Sequence, residues 1–86
     1  MRKTAYNYLF EKIYYPIERG YRMELSKLPT WLFVVIIEEE DTKYVEVHSS
    51  IHKNTTVRLP NSFSSNFSDR DVLIDVSVEV FRRFIL

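Results

Sequence analysis

The sequence contains no cysteine, a single glycine (Gly20) and three prolines among its 86 residues. Without cysteine there is no disulfide framework, no thiolate nucleophile and no cysteine-bound zinc. A lone glycine excludes the phosphate cradles of P-loop and dinucleotide-binding proteins, which need several residues without side chains at fixed offsets. An excess of one charge is also lacking, since 12 Lys and Arg balance 12 Asp and Glu. A neutral chain has no bulk attraction to nucleic acid, an anionic membrane or an acidic substrate, so any electrostatic steering must come from local patches. Long apolar runs are missing too. The longest, Trp31 to Ile37, falls far short of the roughly 20 residues that span a bilayer as a helix. The basic N-terminus leads into tyrosines, Glu11 and Lys12 rather than an apolar stretch, so no secretory signal is read and a cytoplasmic location is expected.

What is present fits one globular domain over residues 1–86. Hydrophobic residues make up 45% and charged residues 28%, the balance of a folded protein in water. Six Tyr, six Phe and one Trp give a small core more buried area per residue than aliphatic side chains would.

Periodicity divides the chain in two. Tyr6, Leu9, Phe10, Ile13 and Ile17 recur at helical spacing, with Thr4 as a plausible N-cap. Pro16 then breaks the stripe and suits the first turn of a second helix, on which Ile17, Tyr21, Leu25 and Leu28 share a face. A strand over 21–28, with Tyr21, Met23 and Leu25 alternating, is the rival reading; the helix is preferred. From Thr30 the period becomes two. Strands are expected at about 31–39, 43–49, 54–59 and 72–81, the last on the alternation of Ile74, Val76, Val78 and Val80. The expected fold is therefore α+β: an N-terminal helical segment (4–28) packed on a four-stranded antiparallel meander.

The hairpin arithmetic singles out one face. With Asp41-Thr42 as a two-residue turn, Ile36 stands opposite Val47 and Val35 opposite His48. Leu32, Val34, Val45 and Val47 then form a core face. Trp31, Phe33, Val35 and Ile37 fall on the other side with Tyr44, Glu46 and His48. A sheet wet on one side should not carry Trp, Phe, Val and Ile there. Either a helix covers this ridge or another chain does, and exposed contiguous apolar patches mark interaction sites. Trp31, Phe33, Val35, Ile37, Tyr44 and His48 are thus the expected partner surface.

Other constellations are weaker. Residues 1–30 and 48–70 are basic on balance, and residues 31–47 acidic. Arg19, Arg22, Lys27, Lys53 and Arg58, near several tyrosines, are the alternative set of contacts, to nucleic acid through phosphate and base stacking. His48 and His52 with Glu46 have no compact metal-ligand spacing. The acidic run Glu38 to Asp41 reads as a solvated hairpin tip. No catalytic residue, cofactor, metal or small-molecule substrate is expected, and no membrane association. The expected function is a small non-enzymatic intracellular binding or regulatory protein that works through protein–protein contacts, with a homodimer as one form of partner. A nucleic-acid-binding regulator is the alternative. In composition the chain also has the look of an accessory protein from an AT-rich virus or mobile element.

Overall fold

The computed structural model describes residues 1–15, 20–51 and 55–86. In chain order they form β1 (Arg2–Tyr6), β2 (Tyr8–Tyr15), β3 (Gly20–Lys27), β4 (Leu32–Glu39), β5 (Thr42–Ser49), β6 (Thr55–Ser64) and helix α1 (Asp69–Val80), which widens into a π-helical turn at Phe81–Ile85. One antiparallel sheet has the order β1-β4-β5-β6, and β2 and β3 form a separate two-stranded arm. The protein is mostly β with one C-terminal helix, so the expected N-terminal helical segment over 4–28 is corrected to three strands.

The reason lies in residue type as much as spacing. Tyr6, Tyr8, Phe10, Ile13, Tyr14 and Tyr15 are aromatic or β-branched, and such side chains fit a pleated surface better than a helix. In the structure Leu9 and Phe10 are both buried although, as sequence neighbours on a strand, they point to opposite sides of the arm. That places one on each side of a thin ribbon, a pattern that imitates a helical stripe. The rival strand reading over 21–28 is the one that matches β3, although its burial does not alternate: Tyr21 and Leu25 are exposed while Met23 packs against the core.

The reverse correction applies to residues 72–81, expected as a strand and found as helix. The alternation of Ile74, Val76, Val78 and Val80 coexists with a second pattern. Val72, Leu73, Val76, Ser77 and Val80 are the buried residues, spaced as one helical stripe, while Val78 is 62% exposed. The start signals favour the helix. Ser68 caps it, its hydroxyl accepting from the Asp71 N–H at 3.1 Å, and Asp69 and Asp71 occupy the first turn, where the helix dipole favours negative charge.

The expected strands at 31–39 and 43–49 match β4 and β5 closely, but the hairpin register is shifted by two. Ile36 pairs with Val45 and Phe33 with His48, because the chain turns at Glu40-Asp41, with Glu40 at φ 54°. A shift of two leaves every side chain on its original face. The expected strand at 54–59 continues to Ser64 as β6. Pro60 does not end it, because β6 is an edge strand and Pro60 falls where the pairing with β5 shifts register.

The core forms on one side of the four-stranded sheet. Leu32, Val34, Ile36, Val45 and Val47 meet Val72, Leu73, Val76 and Val80 of α1, with Leu9, Phe10 and Leu28 from the root of the arm. A charged cluster closes the end of this interface. The Lys43 ammonium, only 5% exposed as a residue, donates to Asp69 Oδ1 at 3.0 Å and to the Phe67 carbonyl at 2.6 Å. Arg2 bridges Glu38 at 2.9 Å and Asp69 at 3.2 Å, and the Tyr6 hydroxyl donates to Asp69 Oδ2. Burial, followed by the Asp69 hydrogen bond and charge, pushes the Tyr6 phenol up to about 12. At Asp69 burial works against ionisation, but hydrogen bonds from Tyr6 and Lys43 and the charges of Lys43 and Arg2 outweigh it and hold the carboxyl below its ordinary range. The cluster ties β1, β4 and β5 to the start of α1.

Candidate functional site

The arm leaves the body at Asn7 and returns at Pro29. Its eight-residue strands pair in one unbroken register from Tyr8↔Lys27 to Tyr15↔Gly20. At the root, an edge-to-face series runs from Tyr6 to Tyr8 (centroids 5.5 Å) and on to Phe10 (6.1 Å), and the Arg70 guanidinium lies 5.2 Å from the Phe10 ring. Toward the tip, burial falls away. Tyr14 is 67%, Tyr21 56% and Leu25 57% exposed. The Lys12 ammonium sits 3.8 Å from the Tyr21 centroid and 5.6 Å from that of Tyr14, a cation held on two rings.

Between the arm and α1 lies an open groove of about 1070 Å³. Phe10, Met23 and Leu28 form the arm wall; Ile74, Val78 and Phe81 form the helix wall. Lys12, Lys27, Asp75 and Arg82 add charge to the lining. Sequence reasoning missed this groove because it needs 72–81 to be helical and 8–27 to be a ribbon. The signal that could have exposed it was Ser68 with Asp69 and Asp71, a helix start ahead of a buried stripe.

The expected partner surface is only partly brought together. Phe33, Val35 and Ile37 do share a face with Tyr44 and His48, as the pairs Phe33↔His48 and Ile37↔Tyr44 require. Trp31 leaves this ridge: it sits in the turn before β4 and packs against the core cluster. The helix α1 covers the opposite face, so the expected helix cover is not what shelters the ridge. Val35 and Ile37 are nevertheless only 8% and 4% exposed. They lie mid-sheet among Tyr44, Glu46 and His48, where Arg58 stacks 4.4 Å from the Tyr44 ring and His48 Nε2 meets Glu46 Oε1 at 3.1 Å. Phe33, at 39%, is the most exposed apolar member of the ridge, beside a His48 side chain that is also partly open.

The alternative basic set is dispersed. Arg22 and Lys27 point to opposite sides of β3, and Arg58 belongs to the outer face of the four-stranded sheet. Arg22 is already held by Glu24 at 2.5 Å. Arg19 and Lys53 lie outside the described residues, as does His52. Among the described residues no group of three or more His, Asp and Glu side chains is placed to hold a metal, and no helix is long and apolar enough to cross a membrane.

No curated protein and no solved structure matches the chain significantly. A family described as a domain of unknown function, DUF7300, matches residues 4–80, a span that runs from β1 to the end of α1. The chain belongs to that family.

Proposed function

We propose that this chain is a small non-catalytic binding protein that acts inside the cell through protein–protein contact, and that the arm and its groove are the contact surface. The observation that carries the reading is the groove itself. Met23, Ile74, Val78 and Phe81 open an apolar trough between two elements, backed by the buried Phe10 and Leu28, and contiguous open apolar surface with a charged rim is where proteins meet partners. An apolar segment of a partner protein fits it. The intracellular setting rests on the cysteine-free sequence, since small secreted domains depend on disulfides.

Val78→Asp tests this reading, because Val78 is exposed and its replacement leaves the core intact. Affinity capture from the native source is expected to retain a protein on the parent chain that the variant loses, with both chains melting within a few degrees of each other. Identical proteins on both would end the reading.

Single-stranded nucleic acid is the rival, favoured by Lys12 lying over Tyr21 and Tyr14, a stacking platform with a cation attached. It requires retained material to be nucleic acid that is released steeply as salt rises.

A further inference from the structure

We propose that two copies of this chain join edge to edge through β3, antiparallel about a two-fold axis at Met23, so that their arms fuse into one four-stranded sheet. This names a partner for the arm and rests on the protein-contact reading above.

Helix α1 packs against β2, and among the described residues no strand pairs with the other side of β3. Which backbone groups face that side follows from one bond. The Leu28 N–H donates to the Asn7 carbonyl at 2.9 Å, which makes Asn7 and Leu28 a hydrogen-bonded pair one step beyond Tyr8↔Lys27. Such pairs alternate along an antiparallel ladder. Ser26, Glu24, Arg22 and Gly20 therefore bond inward to β2, and the amides and carbonyls of Tyr21, Met23, Leu25 and Lys27 point to the open edge.

The sequence on that edge is self-complementary. It reads Tyr21-Arg22-Met23-Glu24-Leu25, apolar, positive, apolar, negative, apolar. Centring the two-fold on Met23 sets Met23 against its own copy and Tyr21 against Leu25 of the second copy, in hydrogen-bonded pairs. Arg22 then meets Glu24 of the second copy, and Glu24 meets Arg22, in the intervening pairs where side chains stand closer. Centring on Arg22 would set two arginines face to face, and centring on Glu24 two glutamates. Charge thus selects one register among these three, and an isologous contact must satisfy the same pairing twice.

Two further features of β3 support the assignment. Glu24 stands directly opposite Glu11 within the arm, a like-charged pair that Arg22 of the same strand offsets from one side; a second copy brings an additional arginine to Glu24. Tyr21 and Leu25 are more than half exposed, and cross-pairing covers both. A two-stranded ribbon is marginal alone, whereas a wider sheet is not.

Sedimentation and light scattering test the association, and charge exchange tests the register. The parent chain is expected at twice 10.4 kDa at high micromolar concentration. Arg22→Glu and Glu24→Arg are each expected to be monomeric alone, with unchanged circular dichroism, and to form a 1:1 heterodimer when mixed. The double variant is expected to dimerise again. Because the chain has no cysteine, Met23→Cys reports on one position only, and mild oxidation is expected to link it across the axis. A monomeric parent overturns the inference while leaving the groove to its own test. A dimer that survives both single charge variants, with no oxidative link at position 23, also overturns it, and assigns the contact to another surface.

Discussion

Two ladders of equal strand length behave very differently in this molecule. β4 and β5, eight residues each, bury most of β4 and every second residue of β5. β2 and β3, also eight residues each, bury only Leu9 and Phe10, both near the root. Local strand preference separates them only in part, for β2 carries five β-branched or aromatic side chains, as β4 does, while β3 has Tyr21 alone. Surroundings complete the difference. β4 and β5 lie between β1 and β6 under α1, while the arm has no flanking strand among the described residues and touches the helix through β2. A strand is stabilised by what flanks and covers it more than by its own sequence, so the body is expected to be the stable part and the exposed half of the arm around Tyr14 and Tyr21 the yielding one.

Substitutions at matched depths in the two regions break that contrast in order of severity. Val45→Asp, at a position with no exposure, places an unpaired charge in the core and is expected to abolish cooperative melting. Lys43→Met leaves Asp69 with one cation fewer and is expected to cost about 3 kcal/mol in a urea titration; a cost under about 1 kcal/mol would show that the cluster does not pin α1 to the sheet. Tyr6 and Asp69 make the body sensitive at both extremes of pH. The folded Tyr6 holds its proton more tightly than the unfolded chain does, so its contribution is intact below about 10, the ordinary phenol value, and drains away as pH rises toward about 12. Asp69 is held below the ordinary carboxyl range, so its contribution is present above about 4 and falls as pH drops below that. Tyr6→Phe is expected to flatten the alkaline limb in melts run across pH 9.5 to 12.5. The smallest effect belongs to the arm: Tyr14→Ser at its exposed tip should change stability by less than about 0.5 kcal/mol.

The same contrast explains what could be read from the sequence. The body's hairpin was legible, because Leu32, Val34, Ile36, Val45 and Val47 alternate cleanly and a one-sided core enforces that alternation. Even the two-residue error in register was harmless to the faces. The arm and α1 were misread because each carries two periods. Leu9-Phe10 with Ile13 imitates a helix when both sides of a ribbon are covered at its root, and Ile74 to Val80 imitates a strand on a helix rich in valine. Only tertiary contact decides between such patterns. The candidate groove, built from exactly those two misread elements, was therefore illegible, and the expected ridge lost Trp31 to the core for a related reason: the strand begins one residue later than its alternation suggests.

The clasp at Asn7 has a topological consequence. Its amide donates to the carbonyls of Pro29 at 3.0 Å and Leu32 at 2.7 Å, just where β1 and β4 become direct neighbours through Tyr6↔Val34. The whole arm is thus a detour between two adjacent antiparallel strands, entered and left through one gate. Lengthening or trimming such a detour alters closure entropy only slowly, about 0.6 kcal/mol per doubling, and leaves the register of β1 on β4 untouched. Relatives are expected to vary in length at the arm tip before they vary anywhere else in the sheet, and a chain cut back between Lys12 and Met23 and rejoined by a tight turn should retain the melting transition of the body. The arm's distal half is then free to diverge under selection for contact alone, while Leu9, Phe10 and Leu28 remain under the constraints of the core.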